Sequence, residues 1–588
     1  MMDSRGLDAV IIGGSDPHSS EYPAPRWQQV AFVSGFTGEA GDIVITREHA
    51  GLWTDTRYFI QAASQLSGTG IQLHKLRIPG AVPIPKWLAT EAFPVEEDII
   101  IGVDGLCQSV SAIEDIREAF GGRRVEIVSI PDMLSPLWPD RPAIPETPVI
   151  TLGEELTGLS RDHKLRELRK FLMSKDCDAI VLSALDEIAW TLNIRASDIE
   201  YNPYAISYLV VTMEKADWYV RKDAFAALDE ETESSFYELL SDGVQAQPYD
   251  EIYFALAELG GRVFIDTKTL NYHIFNAIGG AEKVIGTSPI GLWKAVKTPT
   301  EIDLMRETHV EDGLALEEFL YWLETSLENG EPVTEYSAAL KLGELRSRIE
   351  GYRGDSFKTI SAFAENAALP HYCTPAEGSP YLEPRGLYLV DSGGQFLSGT
   401  TDVTRTIPLG PCTPLEREDY TLVLKGHIAL AMAVFPLGTA GCQIDALARA
   451  PLWSSKRNFG HGTGHGVGFF LGVHEGPQDI RQNFNPQPLL PGMITSDEPG
   501  IYREGEHGVR HENLLLCVDA GENEFGRWAA FETLTLCHFD TSIIVPGILS
   551  EDETAWLNDY NERVFRTLSP RLPREVAAWL RNKTRRSM

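Results

Sequence analysis

"GMITSDEPGIYREGEHGVRHENLLLC" (492–517) sets Glu498 and Glu512 at equal distances on either side of Gly505. The intervening "REGEHG" has the composition of a turn, where glycine supplies backbone conformations closed to other residues. The spacing predicts a β-hairpin in which the two glutamates oppose each other across the ladder. Buried carboxylates are costly unless they are paired or bind metal.

An earlier stretch repeats the arrangement. "GLYLVDSGG" (386–394) is an apolar run ending in Asp391 and turn glycines, and "TTDVTRTIPL" (400–409) is a β-branched run containing Asp402. Their midpoint falls between Phe396 and Leu397, inside the connecting loop. A ladder in simple register would oppose Asp391 and Asp402, with Cβ atoms about 5 Å apart. Two like charges so close are destabilising unless a cation sits between them.

"GHGTGHGVG" (460–468) adds His461 and His465 in a run rich in glycine. It lacks the Lys and Ser/Thr of a phosphate cradle, and His474-Glu475 and His511-Glu512 lack the second histidine of a zinc-protease helix. Asp391, Asp402, Glu498 and Glu512 with the imidazole of His465 make an oxygen-rich set of five ligands. Such a set can hold two divalent cations about 3.5–4 Å apart. Its hard donors suit manganese better than a structural zinc. Turn-forming aspartates and solvated histidines are common singly; two symmetric carboxylate hairpins beside a histidine-bearing glycine loop are not explained that way.

The chain has 588 residues, too many for one core. It is 43% hydrophobic and 23% charged, a globular composition. The net charge of −34, from 51 Lys and Arg against 85 Asp and Glu, disfavours nucleic acid and anionic membrane as partners. The start, "MMDSRGLDAVIIGG", does not read as a secretory signal. The window "IALAMAVFPLGTAG" (428–441) reads as a buried helix and not a membrane span. Seven cysteines without C-x-x-C spacing read as reduced thiols, so the expected location is cytoplasmic.

A weak internal echo links "SRGLDAVIIGGSDPH" (4–18) and "SKDCDAIVLSALDEI" (174–188). Each precedes an aromatic and β-branched run, "VAFVSGFTG" (30–38) and "ISYLVVT" (206–212). The expected organisation is two related α/β domains, 1–148 and 149–296, with the proline-rich "PDRPAIPETPV" (139–149) as a linker. A third domain, 297–588, opens at Thr298, Pro299 and Glu301, which fit a capping box with proline in the first turn. Leu316, Phe319, Leu320 and Leu323 continue it at helical spacing.

These motifs resemble the metal-dependent Xaa-Pro aminopeptidases (aminopeptidase P), in the long, three-domain subgroup of the pita-bread peptidases. Methionine aminopeptidase, prolidase and creatinase are relatives. "GSDPHSSEY", "SGFTGEAG" and "LWTDTRYFIQA" resemble the first domain of that group, and "YNPYAISYLVVT" the second. "FKTISAFAENAALPHY", "LVDSGGQFLSGTTDVTRT", "GHGTGHGVG", "VHEGP", "SDEPGIY" and "GVRHENLLL" resemble its catalytic domain, and "WLNDYNERV" (556–564) its C-terminal extension. The resemblance implies an α/β and α+β architecture, with two creatinase-like N-terminal domains before a pita-bread domain.

The resemblance places Asp391, Asp402, His465, Glu498 and Glu512 at the metal ligands. It places His371, His461 and His474 around the substrate, with Arg510 and Tyr502 lining the pocket. It further implies two divalent ions, most simply Mn(2+), a homodimer, and release of the N-terminal residue from peptides with proline second. In that reaction a metal-bridging hydroxide attacks the carbonyl, Glu498 moves the proton, and His371 or His474 assists. Two rivals stand beside this reading: a prolidase-like Xaa-Pro dipeptidase, and a catalytically silent peptide- or protein-binding module of the same fold. Two departures from the pattern are a short N-terminal segment and His538, where a small residue is expected.

Overall fold

The computed structural model describes residues 1–95, 98–221 and 237–585. The chain forms two compact units, Met1–Gly153 with Leu159–Ile290, and Glu154–Gly158 with Gly291–Met588.

The first unit contains two six-stranded sheets. The strands β1 (Ala9–Ile12), β2 (Asp42–Thr46), β3 (Ala50–Thr54), β4 (Gln72–Lys75), β5 (Ile99–Val103) and β6 (Val125–Ser129) lie in the order β4-β3-β2-β1-β5-β6. The strands β7 (Ala179–Leu182), β8 (Ser207–Thr212), β9 (Ala216–Val220), β10 (Val244–Pro248), β11 (Arg262–Ile265) and β12 (Glu282–Ile285) lie in the order β10-β9-β8-β7-β11-β12. Pairing sense matches position for position. Both β1 and β7 have an antiparallel neighbour on one side and a parallel one on the other. The echoed "AVII" and "AIVL" are these two strands, apolar throughout because both faces are covered.

The second half of the echo differs. Residues 206–212 contain β8, whereas in 30–38 the chain forms a helix, Gln29–Ser34, stopped by Gly35 in the left-handed region at φ 74°. The strand beside β1 comes later, at β2. The proline-rich segment is anchored within the unit: Arg141 pairs with Asp132 at 2.8 Å, and the Thr147 hydroxyl donates to Asp198 at 2.7 Å.

The second unit opens with α1 (Pro299–Glu328). The Thr298 hydroxyl accepts from the Glu301 amide at 3.2 Å, and the Glu301 carboxylate accepts from the Thr298 amide at 2.8 Å, closing the capping box. Leu316, Phe319, Leu320 and Leu323 are buried in one cluster with Tyr388 and Val390. Each such side chain contributes roughly 1.5–3 kcal/mol. The helix thereby backs a three-stranded sheet of β13 (Ile360–Phe363), β14 (Leu387–Ser392) and β17 (Val403–Pro408), whose connecting segment carries the short strands β15 (Gly394–Phe396) and β16 (Gly399–Thr400).

Next come α2 (Pro414–Ala431), β18 (Val434–Pro436), α3 (Gly441–Ser454), β19 (Gly464–Gly466), β20 (Glu475–Ile480), β21 (Ile494–Asp497), β22 (Gly500–Arg503), β23 (His507–Arg510), β24 (Asn513–Asn523) and β25 (Gly526–Thr533). A six-stranded sheet runs β18-β25-β24-β21-β19-β20, and β22-β23 is a separate hairpin. The window 428–441 is only partly the helix its hydropathy predicts. The helix α2 ends at Ala431, and Val434–Pro436 form an edge strand, where proline's missing N–H is harmless. Finally α4 (Glu551–Leu568) and α5 (Arg574–Lys583) bury Leu557, Val564, Val576 and Leu580 against Tyr420, Val423 and Ile428 of α2, in one cluster with the opposed Ile501 and Val509. That cluster seats the β22-β23 hairpin.

Candidate metal centre

Four antiparallel pairings set the carboxylates. In the second hairpin Arg503 pairs with His507 and Gly500 with Arg510, while at its base Asp497 pairs with Asn513. One register runs through both ladders, centred on Gly505, which takes φ 74°. Glu498 and Glu512 lie opposed in the gap between the two ladders, as their spacing predicts.

The first hairpin departs from its prediction. Asp391 pairs with Thr404 and Ser392 with Val403, so the ladder is slid by two residues and Asp402 lies one step diagonal to Asp391. The cause is the turn. Phe396 pairs with Gly399, which adopts φ 150°, and the reversal centres between Leu397 and Ser398. A slide of two keeps every side chain on its own face, so both aspartates still share one face with Thr404.

The donor atoms of Asp402, His465 and Glu512 all lie within 4.8 Å of one another. His465 Nδ1 is 2.9 Å from the Gly466 carbonyl, which only accepts, so Nδ1 carries a proton and Nε2 is the ring atom turned to the cluster. Nε2 faces Asp402 Oδ2 at 3.4 Å and Glu498 Oε1 at 3.7 Å. Carboxylates this close repel, and a cation among them reverses the sign. Glu512 Oε2 accepts from Thr404 at 2.7 Å. Asp391 Oδ2 accepts from Arg510 Nη2 at 2.5 Å, while Asp391 Oδ1 is buried without a hydrogen-bond partner among the described residues.

Burial pushes the carboxyls of Asp391 and Glu512 above the usual range; Asp402 adds to this in both, and Arg510 opposes it at Asp391. Burial also pushes Glu498 up to about 7, against the opposing pull of His465 and Arg510. The orphaned oxygen, the imidazole nitrogen facing carboxylates and the oxygen-rich donors all fit a divalent metal site.

The remaining predicted residues flank this cluster. His461 Nδ1 is 2.7 Å from the Gly462 carbonyl, which leaves Nε2 to accept from the Tyr502 hydroxyl at 2.7 Å. Tyr502 in turn accepts from Arg510 Nη1 at 2.8 Å. His474 packs edge-on against His465, with ring centroids 4.3 Å apart. The next residue, Glu475, is buried between Lys294 at 2.9 Å and Lys297 at 2.6 Å. His371 follows Pro370, whose carbonyl accepts from Arg510 Nη2 at 3.4 Å.

Sequence reasoning missed several supports. Thr404, two residues after Asp402, bonds Glu512 and Arg510. Arg405 is fully buried over the Phe539 ring and donates to the Glu512 carbonyl at 2.6 Å and to Asn513 at 2.8 Å. A lone arginine in the β-branched run "TTDVTRTIPL" was the available signal. His538, the departure from pattern, is buried and bonds Glu317 at 2.8 Å.

Comparison with known proteins places this arrangement. Residues 303–519 match the model of metallopeptidase family M24 and 527–587 that of the C-terminal region of peptidase M24; 1–137 and 140–301 match creatinase/prolidase N-terminal domains. The probable Xaa-Pro aminopeptidase P of Tuber melanosporum is 38% identical over 99% of this chain and 97% of its own. The crystal structure of the X-prolyl aminopeptidase of Caenorhabditis elegans, a cytosolic enzyme with a di-nuclear active site, superposes with a TM-score of 0.93 at 36% identity, covering 99% of this chain and 95% of that one. An Xaa-Pro dipeptidase from Bacillus anthracis shares the fold over 64% of this chain and 98% of its own, at 24% identity and a TM-score of 0.50. The fold is that of a pita-bread metallopeptidase preceded by creatinase-type domains. The chain belongs to the long Xaa-Pro aminopeptidase P group of metallopeptidase family M24.

Proposed function

We propose that this enzyme removes the N-terminal residue from peptides with proline in the second position, using two divalent cations. Asp391, Asp402, His465, Glu498 and Glu512 would hold them, with Mn(2+) the ion best suited to the donors. The observation that carries the reading is His465 Nε2 turned toward the carboxylates of Asp402 and Glu498, at 3.4 and 3.7 Å. The named activity of relatives that match end to end supports the same substrate class.

Bound cations would supply Lewis acidity, polarising the scissile carbonyl and lowering the pKa of an attacking water. The protein does the rest. Glu498 takes the water's proton and passes it toward the departing prolyl nitrogen. His371 or His474 donates to the oxygen on which charge develops. An Xaa-Pro bond has no N–H, so recognition falls on the proline ring and the free amine, and His461, Tyr502 and Arg510 line that pocket. The assignment includes a homodimer in the cytoplasm, with peptides and neither nucleic acid nor membrane as partners. Among the described residues no helix is long and apolar enough to cross a membrane. Domain limits at 148/149 and 296/297 belong to this reading, supported by two sheets of one topology.

The test is turnover of Arg-Pro-Pro beside an Xaa-Pro dipeptide, with elemental analysis of the same sample. Release of arginine from the tripeptide at two metals per chain is expected. Cleavage of the dipeptide alone would make the protein a dipeptidase. No turnover and no metal would make it a silent binding module.

A further inference from the structure

Asp419 on α2 takes no part in the metal cluster, yet its carboxylate is fully buried and receives two guanidinium groups and an imidazole. Oδ1 accepts from Arg457 Nε at 2.7 Å and from Arg503 Nη2 at 3.2 Å. Oδ2 accepts from Arg503 Nε at 2.5 Å and lies 3.0 Å from His507 Nε2. Burial alone would raise this carboxyl; the hydrogen bonds of His507 and Arg503, with the charges of Arg503 and Arg457, hold it down at about 2. It is therefore ionised throughout the range in which enzymes work.

The three partners are not neighbours by accident of one loop. Arg503 and His507 are directly paired across the tip of the β22-β23 hairpin, so one carboxylate grips both arms. Arg457 lies on the segment running into the glycine loop, four residues before His461. The far side of that segment is held separately: Arg449 on α3 donates to the carbonyls of Phe459 at 2.8 Å and His461 at 2.7 Å. The contact between the two gripped segments is His461 Nε2 to the Tyr502 hydroxyl, 2.7 Å. Tyr502 directly precedes Arg503 in the chain.

We infer that Asp419 is the positioning residue that registers the His461 loop against the Tyr502 hairpin. It touches neither substrate nor metal. It fixes the relative placement of the two segments whose side chains face the substrate, and it rests on the proposed function only in taking His461 and Tyr502 as pocket residues. A displacement of about 1 Å in such a pair can cost on the order of 100-fold in rate.

The experiment combines kinetics with amide exchange on the full-length, metal-loaded protein. Asp419→Asn keeps the shape and removes the charge. It should lower kcat/KM for Arg-Pro-Pro by about 10- to 100-fold with metal content unchanged. In a Tyr502→Phe background the same substitution should cost less than about 3-fold, because the contact it registers is already gone. Amides of 457–463 and 500–510 should exchange faster, with the α5 helix unaffected. Should Asp419→Asn fail to fold, Arg503→Gln and Arg457→Gln divide the question: the first should deprotect the hairpin alone and the second the 457–463 segment alone. Equal losses in both backgrounds, or unchanged exchange in the two segments, would overturn the assignment. A wild-type protein that cleaves no Xaa-Pro peptide would defeat the proposed function, and the exchange measurement would still decide the role of Asp419.

Discussion

Arg510 takes one oxygen of Asp391 and leaves the other. Its Nη2 lies 2.5 Å from Oδ2, while Oδ1 is buried with no hydrogen-bond partner among the described residues. The guanidinium also holds the Tyr502 hydroxyl at 2.8 Å. One cation thus balances part of the acidic cluster and orients the pocket beside it. Replacing Arg510 by Met should leave metal content at the wild-type ratio while kcat/KM falls on the order of 100-fold. Parallel elemental analysis and kinetics check this, and loss of metal in Arg510→Met would place the guanidinium among the supports of the ions themselves.

Asp402→Ala and Glu512→Ala remove a donor from the group of three that lies within 4.8 Å. Both should abolish Xaa-Pro cleavage and lower metal content, with the far-ultraviolet circular dichroism of the wild type retained. Turnover by either variant after treatment with a chelator would sink the metal mechanism.

Stripped of metal, the protein should be more stable in mild acid than at neutrality. The folded-state value of Glu498 is raised to about 7 by burial, above the usual carboxylate value, so the folded state holds the extra proton. Stability then falls as pH rises between the unfolded and folded values, a window from about 4.5 to about 7, by on the order of 3 kcal/mol from this group. Saturating Mn(2+) should cancel the trend, because the cation takes over the proton's role. Calorimetry across that window, with and without added metal, reads the slope; a flat profile in chelator removes the argument.

Gly462 and Gly464 are two residues apart, yet an added side chain would meet different surroundings at each. A Cβ on Gly464 would lie 1.9 Å from the Ser496 carbonyl oxygen, so β19 would have to leave β21 and carry His465 with it. At Gly462 the nearest atom is at 3.5 Å, an ordinary contact. Gly464→Ala should therefore lose most activity and at least about 2 kcal/mol of stability, and Gly462→Ala should stay within about 0.5 kcal/mol of wild type. Denaturant melts of the two variants are a direct comparison.

Arg405→Lys tests the missed support. The guanidinium donates to the carbonyls of Thr404, Glu512 and Cys537 and to the Tyr560 hydroxyl, tying the base of the site to α4. An ammonium group cannot reproduce that fork, and the orphaned acceptors should cost about 2–4 kcal/mol. A melt indistinguishable from wild type would show that water replaces the fork.

The gathering of the acidic side chains is legible because its cues are local. Glu498 and Glu512 are symmetric about a turn glycine, and the Thr298–Glu301 box marks a helix start by itself. The slide of Asp402 was not legible, since it depends on Gly399 adopting φ 150°, which no spacing encodes. The helix at Gln29–Ser34 is not legible because its four apolar and aromatic residues, Val30 to Val33, suit either structure, and only the packing decides. Asp419, Arg405 and Thr404 escaped for a different reason. Each is a single polar residue whose meaning comes from partners at distances of many tens of residues.

The shared register of the β21-β24 and β22-β23 ladders acts as a ruler with one free end. Between Ile494 and Leu516 the arms can change length only at the tip, residues 504–506, without sliding one glutamate past the other. One residue added elsewhere would shift a carboxylate by about 3.3 Å and turn it to the opposite face. A peptide tag or loop graft belongs at Gly505, and growth of either arm must be matched by equal growth of the other.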